Sequence, residues 1–218
     1  MRILWLFLLL CTAVGAQDYP VEVEMRLPGG RPAPSWRPPA SPCRLCGQPR
    51  DLDGCGCDRL LDLGLARELQ ADVKTALRQI FQGEMELDGE VPVRTLSQTA
   101  LNRRGGGHLN GLYEDGVIWL SHDLKRRQAL GVLAHETAHA WQFQRHPDAT
   151  LCAEDFREGF AEWVSFLVLE QAGDRASAFR LQANQDPVYG AGLRRFLELE
   201  ARHGRAEILA RARREVRF

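Results

Sequence analysis

Two histidines and a glutamate carry the strongest chemical signal in the chain, in the run Leu133-Ala-His135-Glu136-Thr-Ala-His139-Ala-Trp141. Residues four apart on a helix lie one above the other. His135 and His139 can therefore present two imidazole nitrogens to one metal ion while Glu136 sits beside it. Histidines on a solvated helix face are the plain alternative. Against it, the surrounding helix is largely apolar, and polar groups in such surroundings need a partner to offset their desolvation.

Catalytic zinc takes three protein ligands and leaves a further position to water. His146 is close in sequence, but a metzincin needs Gly three and His six residues after the second histidine, where this chain has Gln142 and Arg145. The run Arg157-Glu158-Gly159-Phe160-Ala161-Glu162 offers a better third ligand. Eighteen residues separate His139 from Glu158, the gluzincin arrangement. Glu162, four residues further on, shares the same helix face; Glu158 is favoured as ligand, with Glu162 or Asp155 orienting the histidines. With these roles Glu136 is the general base: it takes the proton of a zinc-activated water as that water attacks a carbonyl, then passes it to the leaving amine.

The elements that must hold these groups follow from periodicity. Apolar residues from Asp62 to about Gln82 recur with helical spacing, Val91 to Leu96 alternates like a strand, and Gly116 to Ser121 forms a second one after a flexible Gly105-Gly106-Gly107 stretch. After His122 the pattern turns helical again, with Leu130, Val132, Leu133, Ala134, Ala138, Trp141 and Phe143 on a broad apolar face. A helix from Asp155 to Gln171 and two or three more complete the chain. A short sheet with a motif-bearing helix, followed by a helical half, is an α+β arrangement.

At 218 residues and 44% hydrophobic content the chain suits one main domain, and a formal net charge of −1 gives no reason to expect nucleic acid. Residues 1–16 read as a cleaved secretory signal: an apolar run after Arg2, shorter than the ~20 residues that span a bilayer, then small residues at Gly15 and Ala16. A secreted or periplasmic protein without stable membrane insertion is expected. Residues 17–42 are a proline-rich arm or linker, 43–58 a cysteine segment, and 59–218 the main domain. Cys43, Cys46, Cys55 and Cys57 can close a second, structural zinc site or form two disulfides, and Cys152 reads as a buried free thiol.

The Glu158-Gly-Phe-Ala161 run resembles the N-E-G-F-A element of the zinc aminopeptidases, with Arg157 in place of the asparagine. The chain has no G-x-M-E-N element to grip a free N-terminus, so endopeptidase action is expected over aminopeptidase action. A closer resemblance is to the C-terminal peptidase domain of the plant organ-size regulators, ubiquitin-activated enzymes in which a LIM zinc domain precedes the peptidase, and to their shorter bacterial relatives. It is carried by Ile118-Trp-Leu-Ser121 before the histidine motif, by Arg157-Glu-Gly159, and by Asp186-Pro-Val-Tyr189-Gly190 ahead of Gly192-Leu-Arg-Arg195, and covers residues 61–203. The resemblance implies a zincin-like fold and a zinc-dependent hydrolysis of a peptide or protein substrate. It also implies an oxyanion-stabilising role for Tyr189, with a core tyrosine as the alternative, and makes the strand at Val117 to Leu120 the sheet edge on which substrate pairs, with an ordinary buried strand as the alternative. Ubiquitin-linked regulation is not expected, since a leader and a short cysteine segment replace the LIM domain. His108 and His122 read as solvated loop residues. The competing function is a non-catalytic secreted zinc-binding or peptide-binding module, against which the carboxylate of Glu136 argues.

Overall fold

The computed structural model describes residues 59–218. The leader, the arm and the cysteine segment with Cys43, Cys46, Cys55 and Cys57 lie outside the described residues. In chain order the elements are α1 (Leu63–Ile80), β1 (Val93–Leu96), α2 (Gln98–Gly105), β2 (Gly111–Glu114), β3 (Val117–Ser121), α3 (Arg126–Arg145), a 3-10 turn (Ala149–Leu151), α4 (Glu154–Gln171), α5 (Arg175–Ala183), α6 (Tyr189–His203) and α7 (Arg205–Ala212). This is α+β, seven helices and a three-stranded mixed sheet among the described residues. None of these helices is long and apolar enough to cross a membrane.

Asp62 starts α1 by accepting a hydrogen bond from the Leu65 N–H at 2.7 Å, satisfying a donor the first turn would leave free. The helix buries Leu65, Ala66, Leu69, Val73, Leu77 and Ile80, while Leu63 stays exposed. The sheet departs from the expectation in two ways. A strand, β2, precedes the expected second one, because Asp115 and Gly116 adopt positive φ (52° and 75°) and fold the chain into a tight hairpin. The strand order is β1-β3-β2, with β3 parallel to β1 and antiparallel to β2. Val117 to Leu120 is therefore the centre of the sheet, and β2 is an edge. Ile118 and Leu120 point into the core shared with α1 and α3. Trp119 points the other way, under the Arg104 guanidinium of α2 at 4.4 Å. Of the expected flexible stretch only Gly105 is helical: Ser97 caps α2 and Gly106, at φ 75°, ends it.

In the helical half, α4 is packed between α3 and α6. Its inner face carries Phe156, Phe160, Ala161, Trp163, Val164 and Val168, all essentially without solvent contact. Each large apolar side chain buried this way contributes about 1.5–3 kcal/mol. Trp141 of α3 stacks on Phe160 at 5.6 Å, and Phe196 of α6 meets Phe160 at 5.8 Å, so one aromatic residue of α4 ties both neighbours. Cys152 is buried and free, as expected.

The α4–α6 crossing rests on two glycines. A Cβ on Gly159 would stand 2.7 Å from the Gly192 backbone, and one on Gly192 would stand 2.6 Å from the Asp155 carbonyl oxygen. Both obstacles are backbone atoms that cannot rotate away. Gly192→Ala is expected to lower the unfolding free energy by about 1–3 kcal/mol, measured by urea denaturation; an unchanged midpoint would mean that the helices do not cross this closely.

Candidate metal centre

Helix α3 supplies His135 and His139 from successive turns of one face, and α4 supplies Glu158 from the opposing face. The two Nε2 atoms lie 3.0 Å apart, and each is 3.2 Å from Glu158 Oε2. These are the three residues that the described part of the chain offers as a metal-ligating group. Their spacing can be tested against coordination geometry. Three ligands about 2.0–2.1 Å from a tetrahedral ion stand about 3.3 Å from one another, so the observed triangle has the size of one face of such a site. Two imidazole nitrogens and a carboxylate oxygen are also a donor set suited to zinc.

The remaining atoms of each ligand are held from behind. His135 Nδ1 is 3.4 Å from Glu162 Oε1, and His139 Nδ1 is 3.4 Å from Gln142 Oε1. With an acceptor at each Nδ1, the proton is drawn there and Nε2 keeps its lone pair for a metal. Glu158 Oε1 accepts from Nε and Nη2 of Arg157, both at 3.2 Å, which leaves Oε2 for the histidine side.

Charge follows the same logic. His135, His139 and Glu158 have side-chain exposures of 14%, 12% and 9%, so water screens them little. Burial opposes ionisation of Glu158, but the neighbouring His135 and His139 rings outweigh it and hold the carboxyl well below the usual carboxylate range. Burial likewise disfavours a charged His135, yet Glu158, Glu162 and Glu136 together raise it to about 10. The pocket thus favours positive charge between its rings, which a divalent cation supplies without protonating either Nε2. Burial raises the Glu136 carboxyl, opposed by the neighbouring histidines.

Glu136, next to His135 on α3, lines the same cleft. Its carboxylate accepts from the Tyr113 N–H of β2. A Cβ on Gly111 would stand 2.7 Å from Glu136 Oε1, so only glycine leaves this carboxylate its place. Asn110 gives its carbonyl inward to Ser121 at 3.0 Å, and alternation then turns the backbone groups of Gly111 and Tyr113 outward, along the cleft. The edge beside the site is therefore β2 rather than the expected β3. Tyr189, the first residue of α6, stands with its ring 6.2 Å from that of His135. Burial, then the surrounding carboxylates led by Glu158, push its phenol up to about 12, so it is protonated at neutral pH.

The other sequence candidates fall outside the cluster. Asp155 binds Arg195 of α6 at 2.7 Å and does not orient a histidine; that role goes to Glu162. His146 is buried, with Nδ1 accepting from the Asp148 N–H. His108 is exposed on the wall of a cavity of about 580 Å³ that includes His135, Glu136 and Tyr189. His122 is exposed beside Asp123. Gln142, Arg157, Gly111 and the Tyr113 N–H were not expected to take part. Gln142 alone carried a readable signal, since it lies three residues after His139 on the same helix.

The chain matches no protein-family model, no curated protein and no solved structure.

Removing both imidazoles with His135→Ala and His139→Ala is expected to lower the zinc content of the zinc-equilibrated protein by one equivalent, read by elemental analysis. Glu162→Gln is expected to keep the ion but weaken it about 10–100-fold in competition with a chromophoric chelator.

Proposed function

We propose that the chain is a zinc-dependent peptidase, with His135, His139 and Glu158 holding the ion and Glu136 acting as general base. One observation carries this reading: the three ligating atoms form a triangle with sides of 3.0, 3.2 and 3.2 Å, and the Glu136 carboxylate lies in the same cleft. A zincin-like fold is part of the proposal. It is supported by the mixed sheet preceding the motif helix and by the third ligand arriving from the next long helix.

When bound, zinc supplies the Lewis acidity that lowers the pKa of a water towards neutrality and polarises a carbonyl. Glu136 takes a proton from the attacking water and delivers it to the amine nitrogen as the C–N bond breaks. The Tyr189 hydroxyl donates to the carbonyl oxygen as negative charge develops there. The outward backbone groups of Gly111 and the Tyr113 carbonyl are offered to an extended peptide along β2, so that the chain presents its carbonyl beside Glu136. A secreted or periplasmic endopeptidase fits the leader and the absence from the sequence of an element that grips a free N-terminus.

Glu136→Ala is expected to keep its zinc and to cleave a denatured protein at least about 100-fold more slowly than wild type. Zinc bound by a wild type that cleaves nothing would instead favour a peptide-binding module. Tyr189→Phe is expected to lower kcat about 100- to 1,000-fold with KM changed little.

A further inference from the structure

The cavity that contains His135 continues past it along α3. Its floor is two neighbouring rows of that helix, Gln128, Val132 and Glu136 in one and Arg127, Gly131 and His135 in the other, each spaced by four residues so that its members stack. The end of the cavity away from His135 carries Arg127, eight residues earlier on α3, and Arg180 of α5 lines the same cavity. Arg127 Nε is buried without a hydrogen-bond partner among the described residues. Arg180 is steadied by donating from Nη2 to Ser177 Oγ at 2.7 Å. Neither arginine has a carboxylate partner among the described residues. The acidic residues lining the cavity, Glu136 and Glu162, lie at the other end and are engaged there by the Tyr113 N–H and by His135.

The cavity thus sets its carboxylates beside His135, with Arg127 about two turns of α3 away from them and Arg180 on the α5 wall. A buried guanidinium N–H without an acceptor is costly, and an incoming anion offsets that cost. Arginine's planar fork of donors matches a carboxylate and stays charged at any pH the protein meets. Reach agrees with this. Arg127 precedes His135 by eight residues, about 12 Å along the helix axis. An extended peptide advances about 3.3 Å per residue, so a carboxylate about three residues from the attacked carbonyl comes within range.

We propose that this end of the cavity is a substrate subsite for a carboxylate, read by Arg127 and Arg180 and filled by an Asp or Glu side chain or by a peptide's free C-terminus. The proposal deepens the peptidase reading and rests on it for the position of the scissile bond.

The test uses the zinc-loaded protein and N-acetylated peptides in which Glu, Gln or Lys is moved through three positions on either side of the cleaved bond, each peptide made as C-terminal acid and amide. At one position Glu is expected to exceed Gln in kcat/KM by about tenfold or more. A gain confined to the free acids would assign the subsite to the C-terminus. Arg127→Gln and Arg180→Gln are each expected to shrink that ratio, and Arg127→Glu to make Lys the preferred residue at the same position, a switch that a misfolded protein cannot produce. Calorimetric binding of the Glu and Gln peptides, as acids and amides, to Glu136→Gln reads the same preference without turnover. Equal cleavage of all peptides at every position overturns the subsite and leaves the peptidase standing. If nothing is cleaved the peptidase reading falls, and the calorimetry still decides: a tenfold carboxylate preference upholds the subsite, whereas equal or absent binding overturns it.

Discussion

Everything around the centre of this molecule answers one constraint: three polar groups, each nearly out of solvent, meet at the interface of α3 and α4. Two imidazoles and a carboxylate placed there lose most of their hydration, and the loss is tolerable only if each atom has a partner in good geometry. The partners come from the same two helices. Glu162 and Gln142 take the outer nitrogens, Arg157 takes the outer oxygen of Glu158, and the three inner atoms face one another. An arrangement with every outward atom committed leaves the inward ones little freedom to turn. Such rigidity suits the proposed metal binding, because it removes the entropy cost of gathering ligands.

The helices can come close enough for this because their contacts are made by small residues and by backbone. Ser165 of α4 donates to the Gly131 carbonyl of α3 at 2.9 Å. On its far side α4 meets α6 through Gly159 and Gly192, and Asp155 and Arg195 tie the same crossing at the surface. Helix α4 is therefore fixed from both sides, next to the residue whose carboxylate must be placed. The aromatic packing of Trp141, Phe160 and Phe196 fills the space on either side of this close approach.

What could be read from the sequence was what repeats at short, fixed intervals. His135, Glu136 and His139 needed only the helical period, and Glu158 became visible through its eighteen-residue spacing from His139. The main helices follow the spacing of their apolar residues to within a few positions, with Asp62 as an N-cap rather than a first helical residue. The edge strand was missed because β2 is four residues long and its signal lay in the turn, where Asp115-Gly116 marks a hairpin more reliably than the strand marks itself. Confusing edge with centre followed directly, since strand order depends on pairings between segments distant in sequence. The same holds for Arg157, whose place in the Arg157-Glu-Gly159 run did not show what it would hold, and for Gly111, whose reason is a carboxylate on another element.

Tyr189 shows how a run that looks like a signature can be resolved into physical parts. Asp186 Oδ1 accepts from the N–H groups of both Val188 and Tyr189, at 2.8 and 2.9 Å, which fixes the start of α6. Gly190 follows because a Cβ there would fall 1.9 Å from the Asn184 carbonyl oxygen, and that same carbonyl is held by Arg194 Nη1 at 2.6 Å. Two residues later Gly192 lets the helix settle on α4. Asp186, Gly190 and Arg194 thus lock one turn of backbone, Gly192 seats it on α4, and the large aromatic side chain the stretch presents to the cleft is the tyrosine. In the proposed peptidase, a phenol rooted in this much local structure needs little reorganisation to donate to developing charge.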